Sequence, residues 1–221
     1  MNYQWDFSFI WGYSSLFAKG LWVSIGFTVA TVALGLVFGM MGALGKLSTY
    51  RLPQFLATAY IEVFRCTPVL VQLIWFYYAL PVLLGIEIPA ITAGVLCLSL
   101  YGGAFYAEII RGGIVSIDRG QTEAGDALGM LPSQVMRRII LPQALKRMIP
   151  ALMNQSVMQF KNTSLVSILA IPDLLYQGQL VAHDIYRPLE VYSMVAVIYF
   201  AFLYPLTALV RWSEAYFSRA D

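Results

Sequence analysis

Glu62, Arg65 and Lys161 stand out chemically, because each falls within a run of apolar residues long enough to cross a membrane. An ionised side chain at bilayer mid-depth costs about 2.5–3.5 kcal/mol on insertion scales, so each such residue needs a reason to be there. Arg65 lies twelve residues past Pro53, which is roughly 18 Å into its span at the α-helical rise. Lys161 lies fourteen residues past Arg147, about 21 Å in by the same measure. Both reach mid-membrane, and Glu62 stands one turn from Arg65 on the same helix face. Around Lys161, Asn154, Gln155, Met158, Gln159 and Asn162 cover one side of a helix, and Thr163 and Ser164 follow. That side is too polar to face lipid. One reading is a seam of interhelical hydrogen bonds. The other is a translocation path, lined by Glu62, Arg65, Asn154, Gln155, Met158, Lys161 and Asn162, whose groups match the charged α-amino and α-carboxylate ends of an amino acid. Arg65 with Glu62 reads equally as a structural ion pair. Lys161 either meets a substrate carboxylate or caps carbonyls where its helix breaks at Thr163.

Other chemistry is poorly represented. His183 beside Asp184 reads as a solvated loop residue, and no metal site is expected. Cys66 and Cys97 lie in apolar runs without metal-like spacing and read as buried small hydrophobes rather than a disulfide framework. Glu108 and Arg111 are three apart at the end of an apolar run, the spacing of a helix-anchoring surface pair. Tyr101, Phe105 and Tyr106 before them read as packing aromatics. A net charge of +2 without an aromatic-interleaved basic patch argues against a nucleic-acid partner.

The elements that position these groups follow from composition. The chain has 221 residues, 59% hydrophobic and 12% charged, with a mean hydropathy of +0.70, which places it in the membrane class. One all-α, polytopic domain over 1–221 is expected. Five runs approach the roughly 20 residues a spanning helix needs: 21–44, 55–84, 91–110, 149–171 and 191–210. The opening residues lack a basic n-region, so the first run is expected to be retained as a helix. Within it, Gly35, Gly39 and Gly42 leave a smooth face for close helix packing, read here as intramolecular. Pro68 marks a bend in the second run, which closes at Pro81.

Five spans put the termini on opposite sides. Lys46, Arg51, Arg111, Arg119, Arg137, Arg138, Lys146, Arg147, Arg211 and Arg219 then fall on one face, against Lys19 and Arg187 on the other. The positive-inside rule makes the first face cytoplasmic, with the N-terminus outside and the C-terminus inside.

One polar, basic segment interrupts the apolar sequence: EAGDALGMLPSQVMRRIILP at 123–142. Glu123, Ala124, Gly129, Ile139 and Pro142 resemble the EAA loop of bacterial ATP-binding cassette importers, in which EAA is followed at fixed intervals by Gly, Ile and Pro. Gly125 departs from the Ala of that pattern, a change expected to lower helix propensity without removing a contact. FRCTPVLVQL at 64–73, YAEIIRGGI at 106–114 and KNTSL at 161–165 resemble the polar amino-acid permeases of that class, the histidine, glutamine, arginine and glutamate/aspartate group. The runs VFRCTPVLVQLIWFYY and RGQTEAGDALGM are most similar to the glutamate/aspartate members.

The resemblance implies a five-helix subunit of the bacterial inner membrane, paired with a second permease, identical or homologous. It implies a cytoplasmic dimer of ABC ATPases, a periplasmic substrate-binding protein, and a polar amino acid as cargo. Glu123, Ala124, Gly125, Ala127, Leu128 and Gly129, within a coupling loop of about 115–146, would seat in the ATPase. ATP-driven closure of the ATPases would then tilt the spans from inward-facing to outward-facing. Gly129 permits the sharp turn, while Pro132 and Pro142 limit the helices. Gly45 and Lys46 are not followed by Ser or Thr and no GxxxxGK[ST] run occurs, so ATP and Mg belong to the partner, and this chain binds no cofactor and is not itself an enzyme. The competing readings are a stand-alone ion-coupled carrier using Glu62 and Arg65 as a relay, and a non-transporting membrane scaffold.

Overall fold

Prolines set the plan of this molecule. A computed structural model describes residues 3–217, whose regular elements are all helices, without a strand among them. Helices α1 (Phe9–Lys46), α5 (Ala90–Val115) and α10 (Pro188–Phe217) are each long and apolar enough to cross a membrane unbroken. The other two runs are bent pairs, Arg51–Cys66 with Val69–Leu84 at 107°, and Pro132–Leu169 with Leu174–Ile185 at 48°. Five crossings result when each pair is taken as one span. Arg219, counted on the basic face, lies outside the described residues.

The sharper bend sits where the sequence pointed. α2 (Arg51–Cys66) ends because Thr67 precedes a proline and is pushed out of the helical region, to φ −109° and ψ 143°. The chain resumes as α3 (Val69–Ile74), a five-residue π-helical turn at Trp75–Ala79, and α4 (Leu80–Leu84). A second π-turn at Met136–Ile140 joins α7 (Pro132–Val135) to α8 (Leu141–Asn162). Each π-turn ends two residues before a proline, Pro81 or Pro142. Proline has no N–H to donate, and its ring crowds the carbonyl four residues back, that of Tyr77 or Arg138. Widening the turn by one residue relieves the crowding. Neither proline therefore ends a helix, as the sequence led one to expect of both.

α1 begins twelve residues before the expected 21, because residues 9–20 are held by packing rather than by hydropathy. Phe17 is buried against Leu174 and Val181 of α9 (Leu174–Ile185). The fourth run also reaches further than 149–171, since α8 already starts at Leu141 and, after a 3₁₀ helix over Thr163–Leu169, α9 carries it on to Ile185.

α5 is the central helix, packed against α1, α2 and α8. Gly35 and Gly39 face Tyr106, and Gly42 faces Ala107. The glycine face is thus an intramolecular seam, as its spacing suggested. A Cβ on Gly39 would lie 2.5 Å from Tyr106 Cβ, and the fully buried Tyr106 is held by a 2.9 Å hydrogen bond to Ser156 of α8. Gly39→Leu is expected to overpack this seam by about 1–3 kcal/mol or more. Lower thermal stability of the purified chain in detergent checks it, with Val37→Leu, on the exposed face, as the silent control.

At the Lys46 end of α1, Glu108 accepts from Lys46 at 2.6 Å and from Arg111 at 2.9 Å. The expected Glu108–Arg111 pair is present, and Lys46 extends it into a tie between α1 and α5.

Candidate functional site

A broken helix leaves carbonyls without amide partners, and at membrane depth something must satisfy them. At the end of α2, Thr67 Oγ1 donates to the Val63 carbonyl at 2.7 Å. Gln72 Nε2 reaches back across the bend to the carbonyls of Phe64 at 3.0 Å and Thr67 at 3.1 Å. At the end of α8, Thr163 Oγ1 donates to Phe160 O at 2.7 Å and Ser164 Oγ to Lys161 O at 2.8 Å. Neutral hydroxyl and amide groups therefore serve both the break after α2 and the passage of α8 into its 3₁₀ turn, where the Thr163 N–H also meets the carbonyls of Gln159, Phe160 and Lys161. Each of these points also carries one cation that takes no part in holding it, Arg65 one residue before the end of α2 and Lys161 one before the end of α8.

Both cations are exposed. Among the described residues no ion pair joins Glu62 to Arg65. Glu62 instead accepts a long 3.5 Å bond from Cys66 Sγ, which corrects the ion-pair reading: the i, i+3 spacing allows a contact that the exposed rotamers do not make. Arg65 sets its guanidinium over the Phe105 ring, 5.5 Å from the centroid, and Phe105 in turn packs on Tyr101 at 4.9 Å. Lys161 does not cap the helix end either, because Thr163 and Ser164 already do.

Along α8, Asn154, Met158 and Lys161 are exposed, while Gln155 and Asn162 are half-buried. Gln159 departs from this face. It is fully buried and donates to Leu98 O at 2.7 Å, so it belongs to the α5–α8 seam. The two readings of the polar face thus divide by residue. α2, which carries Arg65, and α8, which carries Lys161, both pack on α5. An apolar cavity of about 470 Å³ between α1, α8 and α10 contains none of the pathway candidates in its lining.

The segment between α5 and α8 is built separately. α6 (Arg119–Ala127) starts from Asp118, whose carboxylate accepts from Gly120 N–H at 2.7 Å. It ends at Gly129, in the left-handed region with φ +72°, as the sharp turn required. Gly125 is buried, and a Cβ there would lie 2.7 Å from Val135 Cγ2. Its departure from Ala is therefore a packing requirement, not merely a weaker helix former. Gln143 donates to Gln121 at 3.2 Å and Arg147 to Ser116 O at 2.7 Å, fixing the segment to α8 and to the end of α5. What remains open is one surface: Glu123, Ala124, Ala127, Leu128 and Gly129 are all exposed, Leu128 at 80%.

Residues 35–220 match the family described as "Binding-protein-dependent transport system inner membrane component". The chain belongs to this family. It is 36% identical over 212 residues to the glutamine transport system permease protein GlnP of Escherichia coli K12, across 96% of this chain and 97% of that one. It is 35% identical over 196 residues to the arginine transport system permease protein ArtQ of Bacillus subtilis 168, across 89% and 90%. Among solved structures, one described as an amino acid ABC transporter with histidines superposes with a TM-score of 0.91 at 38% identity, over 96% of this chain and 99% of that one. A subunit of the MetNI methionine transporter superposes at 0.76 with 21% identity over 96% and 99%, which shows the shared fold. The all-α permease fold expected from the sequence is thus established, and ATP hydrolysis in these systems rests with a separate subunit.

The fold also brings together contacts that the sequence alone does not show. Phe105 was read as packing, yet it carries the Arg65 guanidinium. Gln72 props the bend, and as a lone amide in an apolar run it was open to the rule that flagged Gln155. No local signal pointed to Phe105.

Proposed function

We propose that this subunit carries a polar amino acid across a bacterial inner membrane, with Arg65, Lys161, Asn154, Gln155, Met158 and Asn162 along the path and Glu62 beside it. The observation that carries this is the pair of exposed cations, Arg65 at the break after α2 and Lys161 where α8 passes into its 3₁₀ turn, at points whose carbonyls other groups already satisfy. A charge kept at membrane depth without a structural duty is a functional one, and a guanidinium and an ammonium suit the α-carboxylate common to all amino acids. The side chain of the cargo is a narrower question. The glutamate/aspartate reading rests on two sequence runs, whereas the relatives compared above are glutamine and arginine permeases.

Exposed charged and amide groups in the spans need cover from lipid, which supports a second permease, identical or homologous, across that face. The exposed surface of α6 is the seat for a cytoplasmic ATPase dimer, which holds the ATP and Mg, so the basic face with the C-terminus lies inside and the N-terminus outside. A periplasmic binding protein delivers the cargo, lipid surrounds the single domain over 1–221, and neither nucleic acid nor metal has a role. Reconstituted with its ATPase, the permease is expected to accumulate polar amino acids in vesicles only when ATP is supplied on the ATPase side. Uptake driven by a proton or sodium gradient alone would overturn the proposal, and competition among glutamate, aspartate, glutamine and arginine decides the cargo.

A further inference from the structure

Before α1 the chain runs from Tyr3 to Phe7 without helix, and its residues alternate in role. Tyr3, Trp5 and Phe7 are 48%, 58% and 41% exposed. Their rings touch in series, Tyr3 on Trp5 at 5.3 Å and Trp5 on Phe7 at 5.9 Å. The even positions are tied down through the backbone: Arg187 donates to Gln4 O at 3.2 Å, and Asp6 N–H donates to Glu190 Oε1 at 3.4 Å. Glu190 has no exposed surface, and its carboxylate also accepts from Tyr3 O–H at 2.5 Å and from Arg187 at 3.0 Å. A buried carboxylate is costly unless it is paired and fully hydrogen-bonded. Here its partners are one arginine and the leading segment itself.

The depth of this anchor follows from α10. Glu190 lies in the first turn of α10, and Arg211, near the other end, is twenty-one residues on, about 32 Å along a helix. That matches the thickness of a hydrocarbon core, roughly 30 Å. Glu190 thus marks one edge of the core and Arg211 the other. Beyond Arg211, Trp212 and Tyr216 are 65% and 60% exposed and stack at 5.5 Å, the arrangement of an interfacial aromatic belt. The leading segment puts Trp and Tyr at the opposite edge, and Trp11, 86% exposed in the first turn of α1, adds a fourth ring there.

We infer that Tyr3–Phe7 is an interfacial strap, locked to α10 by Glu190 and Arg187, which lays an aromatic face on the lipid headgroup boundary of the leaflet remote from the α6–α7 segment. The partner is lipid because the rings lie at core-edge depth, where an amphipathic aromatic keeps its apolar body in the acyl boundary and its polar atom in the headgroup layer. The strap holds the entry of α1 against α10 independently of which cargo is carried.

The test reads Trp5 as the difference between the full chain and its Trp5→Phe variant, each reconstituted in phosphatidylcholine vesicles. Lipids brominated near the headgroup end of their acyl chains are expected to remove most of the Trp5 fluorescence, while aqueous iodide leaves it nearly unchanged. Quenching by iodide but not by brominated lipid would overturn the inference and mark the segment as a water-facing surface for a soluble protein. Glu190→Gln is expected to shift Trp5 toward iodide, and Tyr3→Phe, which removes one hydrogen bond without touching the buried charge, to do so more weakly. Trp5 accessibility unchanged in both variants would overturn the anchoring role.

Discussion

Gly129→Arg is expected to leave the permease in the membrane and strip it of its ATPase. Gly129 closes α6 with φ +72°, its N–H bonded to Asp126 O at 2.9 Å and the next amide, of Met130, bonded to Gly125 O at 3.1 Å. A side chain in that conformation costs about 1–2 kcal/mol. A Cβ there meets nothing within 4 Å, so the strain is local and the arginine projects from the open surface beside Leu128. Insertion should therefore be unaffected. An unpaired guanidinium forced into a docking interface costs about 3–5 kcal/mol, roughly a hundredfold or more in affinity. ATPase co-purification and ATP-driven uptake should fall together, while the amount of permease in the membrane fraction stays level. Gly129→Asn separates the two causes, since asparagine tolerates the left-handed region and adds no charge, and it should retain most docking. Normal co-purification of Gly129→Arg would remove this surface as the ATPase seat.

That such a prediction can be made from a twenty-residue pattern reflects where the sequence was legible. Glu123, Ala124 and Gly129 sit on a surface segment whose shape is set by local rules, one N-cap, one left-handed glycine and Pro132 at the start of α7, and local rules are readable in order along the chain. Thr67 before Pro68 was legible for the same reason. The prolines at 81 and 142 were misread because helix interruption has two outcomes, an end or a widened turn, and neighbouring packing chooses between them. The extra turns of α1 escaped hydropathy altogether, since Phe17 is buried by residues more than 150 positions away. Depth counting found Arg65 and Lys161, but not what lies beside them. Phe105, Gln72 and the true seam role of Gln159 depend on which helices meet, a property of the assembled bundle and not of any window of sequence.

Those neighbours make Arg65→Gln an informative change. If Arg65 held the bend of α2, losing its charge would destabilise the subunit. The carbonyls there are already met by Thr67 and Gln72, so the variant should fold, insert and bring its ATPase with it. Under the proposed role it loses a charge-assisted contact to the cargo carboxylate, worth about 1.5–3 kcal/mol, and should show roughly a 10- to 150-fold rise in the substrate concentration needed for half-maximal uptake. Arg65→Lys keeps the charge but not the planar fork, and should recover only part of the loss. Phe105→Leu removes the ring under the guanidinium while leaving the charge, and should produce a smaller rise of the same kind, because a cation–π contact at an exposed site is worth about 0.5–1 kcal/mol. The ordering Gln above Lys for Arg65, with Phe105→Leu at the low end, distinguishes a substrate contact from a structural one. A structural arginine would lower the yield of folded subunit and leave the concentration dependence of uptake where it was.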